Sequence, residues 1–125
     1  MKKIPNIYNS NCPTRLILDR IADKWTVLVI GQLSSGTLRF NELKRSIPGI
    51  TQKMLTQTLK SLERDGLVIR KIYATVPPKV EYSLTKLGKN LISVVEAIRI
   101  WAESNVKDSL QSQTKYDSRL DAGVV

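Results

Sequence analysis

The stretch from Thr51 to Gly66, TQKMLTQTLKSLERDG, constrains the fold most, because it predicts one helix with two opposed faces. Leu55, Leu59 and Leu62 recur at spacings of four and three, which places them on one stripe. The Thr51 hydroxyl can accept an N–H of the first turn as an N-cap, and glycine commonly follows a helix end. The leucine stripe therefore predicts a core on one side of this helix.

The opposite face of the same helix mixes cations, amides and hydroxyls. At about 100° per residue, the side chains opposite the leucines are Lys53, Gln57, Lys60 and Arg64, with Thr56 beside them. Lys and Arg neutralise phosphates, whereas Gln and Thr can hydrogen-bond base edges in a major groove. An ordinary solvated face has a similar composition, so this helix alone leaves both interpretations open.

The charge of the chain is unevenly distributed. Its 125 residues suffice for one domain, and its formal charge is +9. Residues 1–80 carry 14 Lys and Arg against 5 Asp and Glu, whereas residues 81–125 carry six of each. An anionic partner is therefore expected for the first 80 residues, and another role for the last third.

The scarcity of reactive residue types excludes several classes of site. The chain has no histidine and one cysteine, which excludes a zinc finger, a Ser–His–Asp triad and an internal disulfide. It has no phosphate-binding loop or dinucleotide fingerprint, no apolar run of about 18 residues and no signal peptide. We expect no metal, no cofactor, no membrane span and a cytoplasmic location. Without a clustered carboxylate pair, an enzyme is the weakest hypothesis.

The segments before residue 51 predict a series of short helices. Residues 1–11 are expected to be a mobile arm. A helix with Pro13 at its first position has Ile17 and Ile21 on its apolar face, and a second helix from about Lys24 is apolar nearly all round, which favours a buried position. Three short segments precede the helix predicted at residues 51–66. They are an extended piece at residues 37–40, a short helix at 41–46 and a tight turn at 48–50. Together they form a helix-turn-helix signature.

The residues after Gly66 predict a two-stranded ribbon. Residues 67–75 and 80–84 alternate in polarity, and Pro77 and Pro78 interrupt the ladder between them. A ribbon directly after a helix-turn-helix is a wing. Lys71 and Lys79 would flank its tip and meet phosphates or the neighbouring minor groove, although a structural hairpin with ordinary surface lysines remains an alternative.

The last third predicts a long helix from Thr85 to about Lys107. Its apolar stripe is too wide for a small domain to cover, which favours a dimer interface, although packing on its own domain remains open. Residues 109–125 are polar and are expected to be a disordered tail. The interface residues expected on this helix are Leu91, Val94, Val95, Ile98 and Trp101.

The chain resembles the HxlR-type winged helix-turn-helix transcription regulators, relatives of the MarR group. The resemblance covers roughly residues 12–102. The motifs that carry it are Cys12-Pro13, Ile21-Ala22-Asp23-Lys24-Trp25-Thr26, Arg39-Phe40-Asn41-Glu42-Leu43, Pro48-Gly49-Ile50-Thr51, Asp65-Gly66-Leu67-Val68 and the wing Val76-Pro77-Pro78-Lys79-Val80-Glu81-Tyr82.

The resemblance implies a homodimeric regulator that binds a pseudo-palindromic operator. Paired recognition helices would enter successive major grooves, wings would reach the minor grooves, and the N- and C-terminal helices, including Ile17, would dimerise. By position, the DNA contacts would be Arg39, Thr51, Gln52, Lys53, Thr56, Gln57, Lys60, Lys71, Pro77, Pro78 and Lys79.

Cys12 is the residue with the most distinctive chemistry. It lies at the start of a helix, where the macrodipole favours a thiolate, and Arg15 is close in sequence. Some members of the resembled family sense oxidants or electrophiles through a cysteine at this position. With no second cysteine in the chain, only an intersubunit disulfide or a mixed disulfide remains, and a structural cysteine is the alternative.

These observations predict a mainly α fold with a small β wing (α+β), a winged helix-turn-helix at residues 12–108 with flanking dimerisation helices. The predicted function is homodimeric, sequence-specific regulation of transcription on double-stranded DNA, with a response to oxidants through Cys12. The alternative is a winged-helix module that binds nucleic acid or protein without sequence readout. A small-molecule effector is compatible with the sequence, but no residue cluster requires one.

Overall fold

The structure is a computed structural model that describes residues 4–123. Residues 1–3 of the expected arm and 124–125 of the expected tail lie outside the described residues. Within the described residues, the chain divides into a first unit that ends at residue 92 and a second unit that begins at residue 93. The described elements are α1 (Thr14–Ile21), α2 (Lys24–Leu33), β1 (Leu38–Arg39), α3 (Phe40–Ser46), α4 (Gln52–Arg64), β2 (Val68–Tyr73), β3 (Lys79–Leu84), α5 (Lys86–Asn90) and α6 (Ile92–Asp121).

The core of the first unit lies among α2, α3, α4 and the sheet. Ile30, Leu43 and Leu55 have no exposed surface. The prediction of α2 as a buried centre holds for one side only, because Leu28 on its other side is 41% exposed. The Asp23 carboxylate caps α2 by accepting the N–H groups of Trp25 and Thr26 at 2.8 and 3.2 Å.

Both predicted ends of α4 are confirmed. The Thr51 hydroxyl oxygen accepts the Met54 N–H at 3.1 Å. At the other end, Gly66 has a φ of +77°, and the Leu67 N–H donates to the Leu62 carbonyl at 2.9 Å. This closure needs a left-handed residue at Gly66, so α4 ends where the sequence indicates.

A tight turn sets the approach of α3 to α4. The Ile50 N–H donates to the Ile47 carbonyl at 3.3 Å, and Gly49 has a φ of +88°. Proline followed by a left-handed glycine is the sequence of a type II turn. The helix-turn-helix over α3 and α4 is therefore confirmed.

The sheet has three antiparallel strands in the order β1-β3-β2. The predicted ribbon is the pair β2–β3, which runs from Val68 opposite Leu84 to Tyr73 opposite Lys79. The other edge of β3 pairs with β1, with Leu38 opposite Tyr82. The two-residue strand β1 thus attaches the base of the wing to the start of α3.

The predicted continuous helix from Thr85 is interrupted. Thr85 does cap α5, because its hydroxyl accepts the Gly88 N–H at 3.1 Å. The Leu91 N–H then donates to the Gly88 carbonyl at 3.1 Å, a tighter turn that separates α5 from α6. A Cβ on Gly88 would lie 2.1 Å from the Leu67 carbonyl oxygen, so glycine, a poor helix former, is required there.

The expected disordered tail is corrected over residues 109–121, which continue α6 through Asp121. Residues 92–121 contain neither glycine nor proline, so nothing in the sequence stops the helix. The hydroxyls of Thr114 and Ser118 donate to the carbonyls four residues earlier at 3.1 and 2.9 Å. Polar composition alone was therefore a poor guide to order in this segment.

Candidate nucleic-acid interface

The two faces predicted for α4 are present. Leu55, Leu59 and Leu62 are buried, with at most 3% exposure. On the opposite side Thr56 is half-buried, and among residues 4–123 none of the cations on this face forms an ion pair. The exposed polar residues of α4 and its cap are Thr51, Gln52, Lys53, Gln57, Lys60 and Arg64.

The structure brings Arg39 to the tip of the wing. Arg39 lies at the junction of β1 and α3, where its backbone N–H donates to the Glu42 carboxylate at 2.9 Å. Its side chain lines an open groove with Arg45 and residues 75–81 of the wing, including Pro77, Pro78 and Lys79. Arg45 is not among the residues predicted to contact DNA, because a cation in a short helix has no distinguishing sequence pattern.

The two wing lysines meet at an aromatic ring. The ammonium nitrogens of Lys71 and Lys79 lie 5.0 and 5.1 Å from the centre of the Tyr73 ring. Lys79 also forms a 3.1 Å ion pair with Glu81. Lys79 borders the tip as predicted, whereas Lys71 lies on β2, two residues before Tyr73. The two lysines therefore form one cluster beside Tyr73. They do not occupy opposite sides of the tip, as the sequence had predicted.

An ion pair fixes the wing to α4. Glu63 near the end of α4 accepts from the Arg70 guanidinium of β2 at 3.1 Å. Tyr82 on β3 lies next to this pair. Burial is the main cause that raises the Tyr82 pKa. The positive charge of Arg70 lowers this pKa by a smaller amount, and the negative charge of Glu63 raises it further. The α4–wing geometry is thus held by charged groups distinct from the exposed cations.

The environment of Cys12 differs in part from the prediction. The thiol is within 3.0 Å of the Thr14 hydroxyl and accepts the Asn6 N–H at 3.4 Å. These hydrogen bonds, Thr14 first, lower the Cys12 pKa. Arg15 instead donates to the carbonyls of residues 7 and 8 at 2.9 and 3.3 Å, so its guanidinium holds the arm. Pro13 is the N-cap of α1, one position before the predicted one.

The residues expected at a dimer interface differ in exposure. Ile17 is 51% exposed. On α6, Val94, Ile98 and Trp101 are also exposed. Val95, in contrast, is 2% exposed in the single chain, so its side chain has no surface left to offer a partner, and we withdraw it from the predicted interface. Leu91 is half-buried.

The first unit also contains an apolar cleft of about 210 Å³. Ion-paired Arg20 and Asp65 form part of its wall together with Asn90, and the remaining lining is aliphatic. The aliphatic residues are Ile17, Ile21, Leu67, Leu87 and Leu91. A cleft of this character suits a small apolar ligand or an apolar side chain.

Residues 4–123 contain neither a candidate metal site nor a candidate membrane span. No group of three or more His, Cys, Asp or Glu side chains there could hold a metal ion. Over the same range, no helix is both long enough and apolar enough to cross a membrane.

Comparison with known proteins agrees with this geometry. Residues 20–110 match the model of the HxlR-like helix-turn-helix family. The chain belongs to this family. A relative in Bacillus subtilis (strain 168), named HTH-type transcriptional regulator YybR and itself uncharacterised, is 46% identical over 114 residues, which cover 90% of each chain. The predicted family and its MarR-like winged-helix fold are confirmed.

Solved structures of similar regulators share the fold. One, assigned as transcriptional regulator ytfH from Salmonella typhimurium, superposes with a TM-score of 0.82 at 40% identity and covers 89% of this chain and 99% of that one. Another, the redox regulator HypR in its oxidised form, gives a TM-score of 0.70 at 48% identity over 75% of this chain and 97% of that one. The relatives are transcriptional regulators, a class of protein distinct from enzymes.

Proposed function

We propose that this protein regulates transcription as a homodimer that binds a pseudo-palindromic operator in double-stranded DNA. The observation that carries the proposal is the outer face of α4, where Lys53, Lys60 and Arg64 are exposed beside exposed amides and form no ion pair with any residue between 4 and 123. The buried leucine stripe holds this face outward from the core. A helix that combines cations and amides in this way suits a major groove.

The residues of α4 divide into two roles in this proposal. Gln52, Thr56 and Gln57 would hydrogen-bond base edges, and the ammonium groups of Lys53 and Lys60 would neutralise phosphates. Thr51 would remain the cap that fixes the first turn. Specificity then depends on the amides and the hydroxyl, whereas much of the affinity comes from the cations.

The wing would contact DNA beside the major groove. Lys71 and Lys79 form a cationic cluster at Tyr73, and the groove shared with Arg39 and the tip residues Pro77 and Pro78 lies next to it. A phosphate or a narrow minor groove attracts such a cluster. Glu81 holds Lys79 in the free protein, so DNA binding would exchange this carboxylate for a phosphate.

The homodimer would cover exposed apolar surface. Ile17 of α1 and Val94, Ile98 and Trp101 of α6 are large apolar residues that the single chain leaves exposed. Exposed apolar surface of this kind on each unit indicates an interaction site, and a twofold partner offers the same surfaces in return. Two copies of α4 would then read two related half-sites.

The experiment that tests the proposal is a competition titration of full-length protein. DNA from the intergenic region beside its own gene competes with random duplex at a fixed salt concentration, while native mass spectrometry measures the oligomeric state. We expect a dimer and a preference for one inverted repeat of about a thousandfold or more. Equal affinity for both DNAs would favour the alternative module without sequence readout, and a monomer would contradict the twofold model.

Cys12 is proposed as a redox-responsive thiol of this regulator. Support comes from its lowered pKa and from the similarity to the redox regulator HypR. With diamide as oxidant, the Cys12 thiols of two subunits would lose two electrons and two protons to the diazene, which becomes a hydrazine, and one S–S bond would form. Operator release by diamide in wild type and its absence in Cys12→Ser are expected. Equal release in both would exclude this role.

A further inference from the structure

The C-terminal half of α6 carries exposed apolar side chains that its own unit does not cover. Val106, Leu110, Tyr116 and Leu120 are between 44% and 54% exposed. At about 100° per residue they fall within an arc of about 120°, with Gln113 near its middle. The family match ends at residue 110, so most of this face lies beyond the segment that the family shares.

The spacing of this face is symmetrical about Gln113. From Val106 the intervals are four, three, three and four residues, ending at Leu120. If a second copy lies antiparallel with its centre at the same glutamine, Val106 meets the partner's Leu120 and Leu110 meets the partner's Tyr116. The glutamine side chains meet each other, and an amide can both donate and accept a hydrogen bond. One twofold axis therefore matches every apolar residue of the face.

Charge favours a second copy of this helix over DNA as the occupant. Residues 93–121 carry four basic and five acidic side chains, so this segment lacks the excess of cations found in the first 80 residues. Asp117 falls inside the same arc, about 40° from Gln113. In a parallel pair, Asp117 would meet the partner's Asp117 and the two carboxylates would repel each other. In an antiparallel pair, it would face the uncharged Ser109 of the partner subunit. The helix macrodipoles also favour the antiparallel pair, because they point in opposite directions there and in the same direction in a parallel pair.

We propose that residues 106–120 of α6 form an antiparallel helix pair with the same segment of a second copy, centred on Gln113. The inference rests on the proposed homodimer and extends it to a segment that lies mostly beyond the family match, which ends at residue 110. This pair would lengthen the interface and add stability to the dimer beyond the contribution of α1 and the first part of α6.

Spin-label distances in the full-length protein test the direction of the pair. In a Cys12→Ser background, Ser112→Cys and Ser104→Cys each supply one label site per chain. Ser104 lies nine residues from Gln113, so in an antiparallel pair its two labels are about 27 Å apart along the axis. The Ser112 labels would be separated mainly by the distance of about 8–10 Å between the helix axes. A parallel pair would give similarly short distances at both sites.

A charge placed on the face tests the contacts. Leu110→Glu should raise the dissociation constant of the dimer by about tenfold and abolish the short Ser112 distance, because it buries an unpaired carboxylate. Gln111→Glu is the matched control, since it adds the same charge one residue away and outside the arc, and it should leave both readouts unchanged. Circular dichroism checks that both variants retain their helix content.

Each result decides between named alternatives. The proposal is supported if the Ser112 labels are close together and the Ser104 labels are far apart, and if Leu110→Glu but not Gln111→Glu weakens the dimer. Equally short distances, or a dimer in which neither site shows a neighbouring label, would overturn it and leave the homodimer intact. A monomeric wild-type protein by native mass spectrometry would instead overturn the proposed homodimer itself.

Discussion

Arg20 in α1 and Asp65 at the end of α4 form an ion pair with 2.6 Å between the guanidinium Nε and a carboxylate oxygen. Their side chains are only 33% and 18% exposed. Asp65 is the C-cap of α4, so the pair attaches the N-terminal helix to the end of the proposed recognition helix. A movement of α1 would therefore reach α4 through two side chains in direct contact.

The first prediction concerns this ion pair. Arg20→Met retains an apolar stem and removes the charge, and it should lower the free energy of unfolding by about 1 kcal/mol, as measured by urea denaturation. Arg64→Met is the control, because Arg64 is exposed and forms no ion pair within residues 4–123. Equal losses in both variants would mean that the contact contributes nothing.

The second prediction concerns Gly88, where a Cβ would lie 2.1 Å from a backbone oxygen. Gly88→Ala should destabilise the first unit by about 2 kcal/mol or more, because neither backbone can move aside without losing hydrogen bonds. Gly31→Ala is a matched control in α2, where the added Cβ would meet no atom within 4 Å apart from its chain neighbours and the backbone of its own helix, and it should be neutral or stabilising. Thermal unfolding measures both, and a tolerated Gly88→Ala would disprove the close approach.

The third prediction separates phosphate contacts from base readout on α4. Lys60→Ala should weaken binding to all duplexes. It should also reduce the salt slope, which is the dependence of the binding constant on salt concentration in a log–log plot, by about one released ion. Gln57→Ala should relax the preference at particular base pairs and leave the salt slope unchanged, because it removes no charge. Fluorescence anisotropy with operator and random DNA measures both. If the two variants behaved alike on the two DNAs, α4 would have no base-reading role.

The fourth prediction concerns the ion pair in the wing. Glu81→Gln removes the carboxylate that holds the Lys79 ammonium at 3.1 Å, so it should tighten binding to any duplex by about two- to fivefold at low salt. Asp108→Asn on α6 makes the same change in net charge and should have little effect. An equal gain from Asp108→Asn would show that net charge alone is responsible.

The fifth prediction concerns the reactivity of Cys12. Hydrogen bonding lowers its pKa below that of an ordinary thiol, with the Thr14 hydroxyl as the largest cause. A lower pKa increases the reactive thiolate at neutral pH, so the pH midpoint of alkylation by iodoacetamide should lie below that of the same cysteine in the urea-unfolded protein. Thr14→Val should move this midpoint upward and slow alkylation at pH 7. Thr114→Val, which alters a hydroxyl on α6, should not, and an unchanged midpoint in Thr14→Val would refute the assigned cause.

Features with local causes were predictable from sequence. The amphipathic period of α4, its threonine cap, its terminal glycine and the two prolines of the wing tip each act within a few residues, so the helix-turn-helix and ribbon could be recognised directly. The helix at residues 109–121 also has a local cause, which is the absence of glycine and proline. It was predicted to be a disordered tail because its polar composition was given more importance than the absence of helix breakers.

The sequence by itself thus determined which side of α4 is buried and where α4 begins and ends, because these follow from side-chain period and near-neighbour hydrogen bonds. Its motifs also indicated the family through their resemblance to known members. Only the tertiary structure decided the features that join distant residues. It paired β1 with β3, brought Leu67 against Gly88, directed Arg15 to the arm and joined Arg20 to Asp65. No periodicity encodes such contacts, because each depends on where the folded backbone places two separate segments.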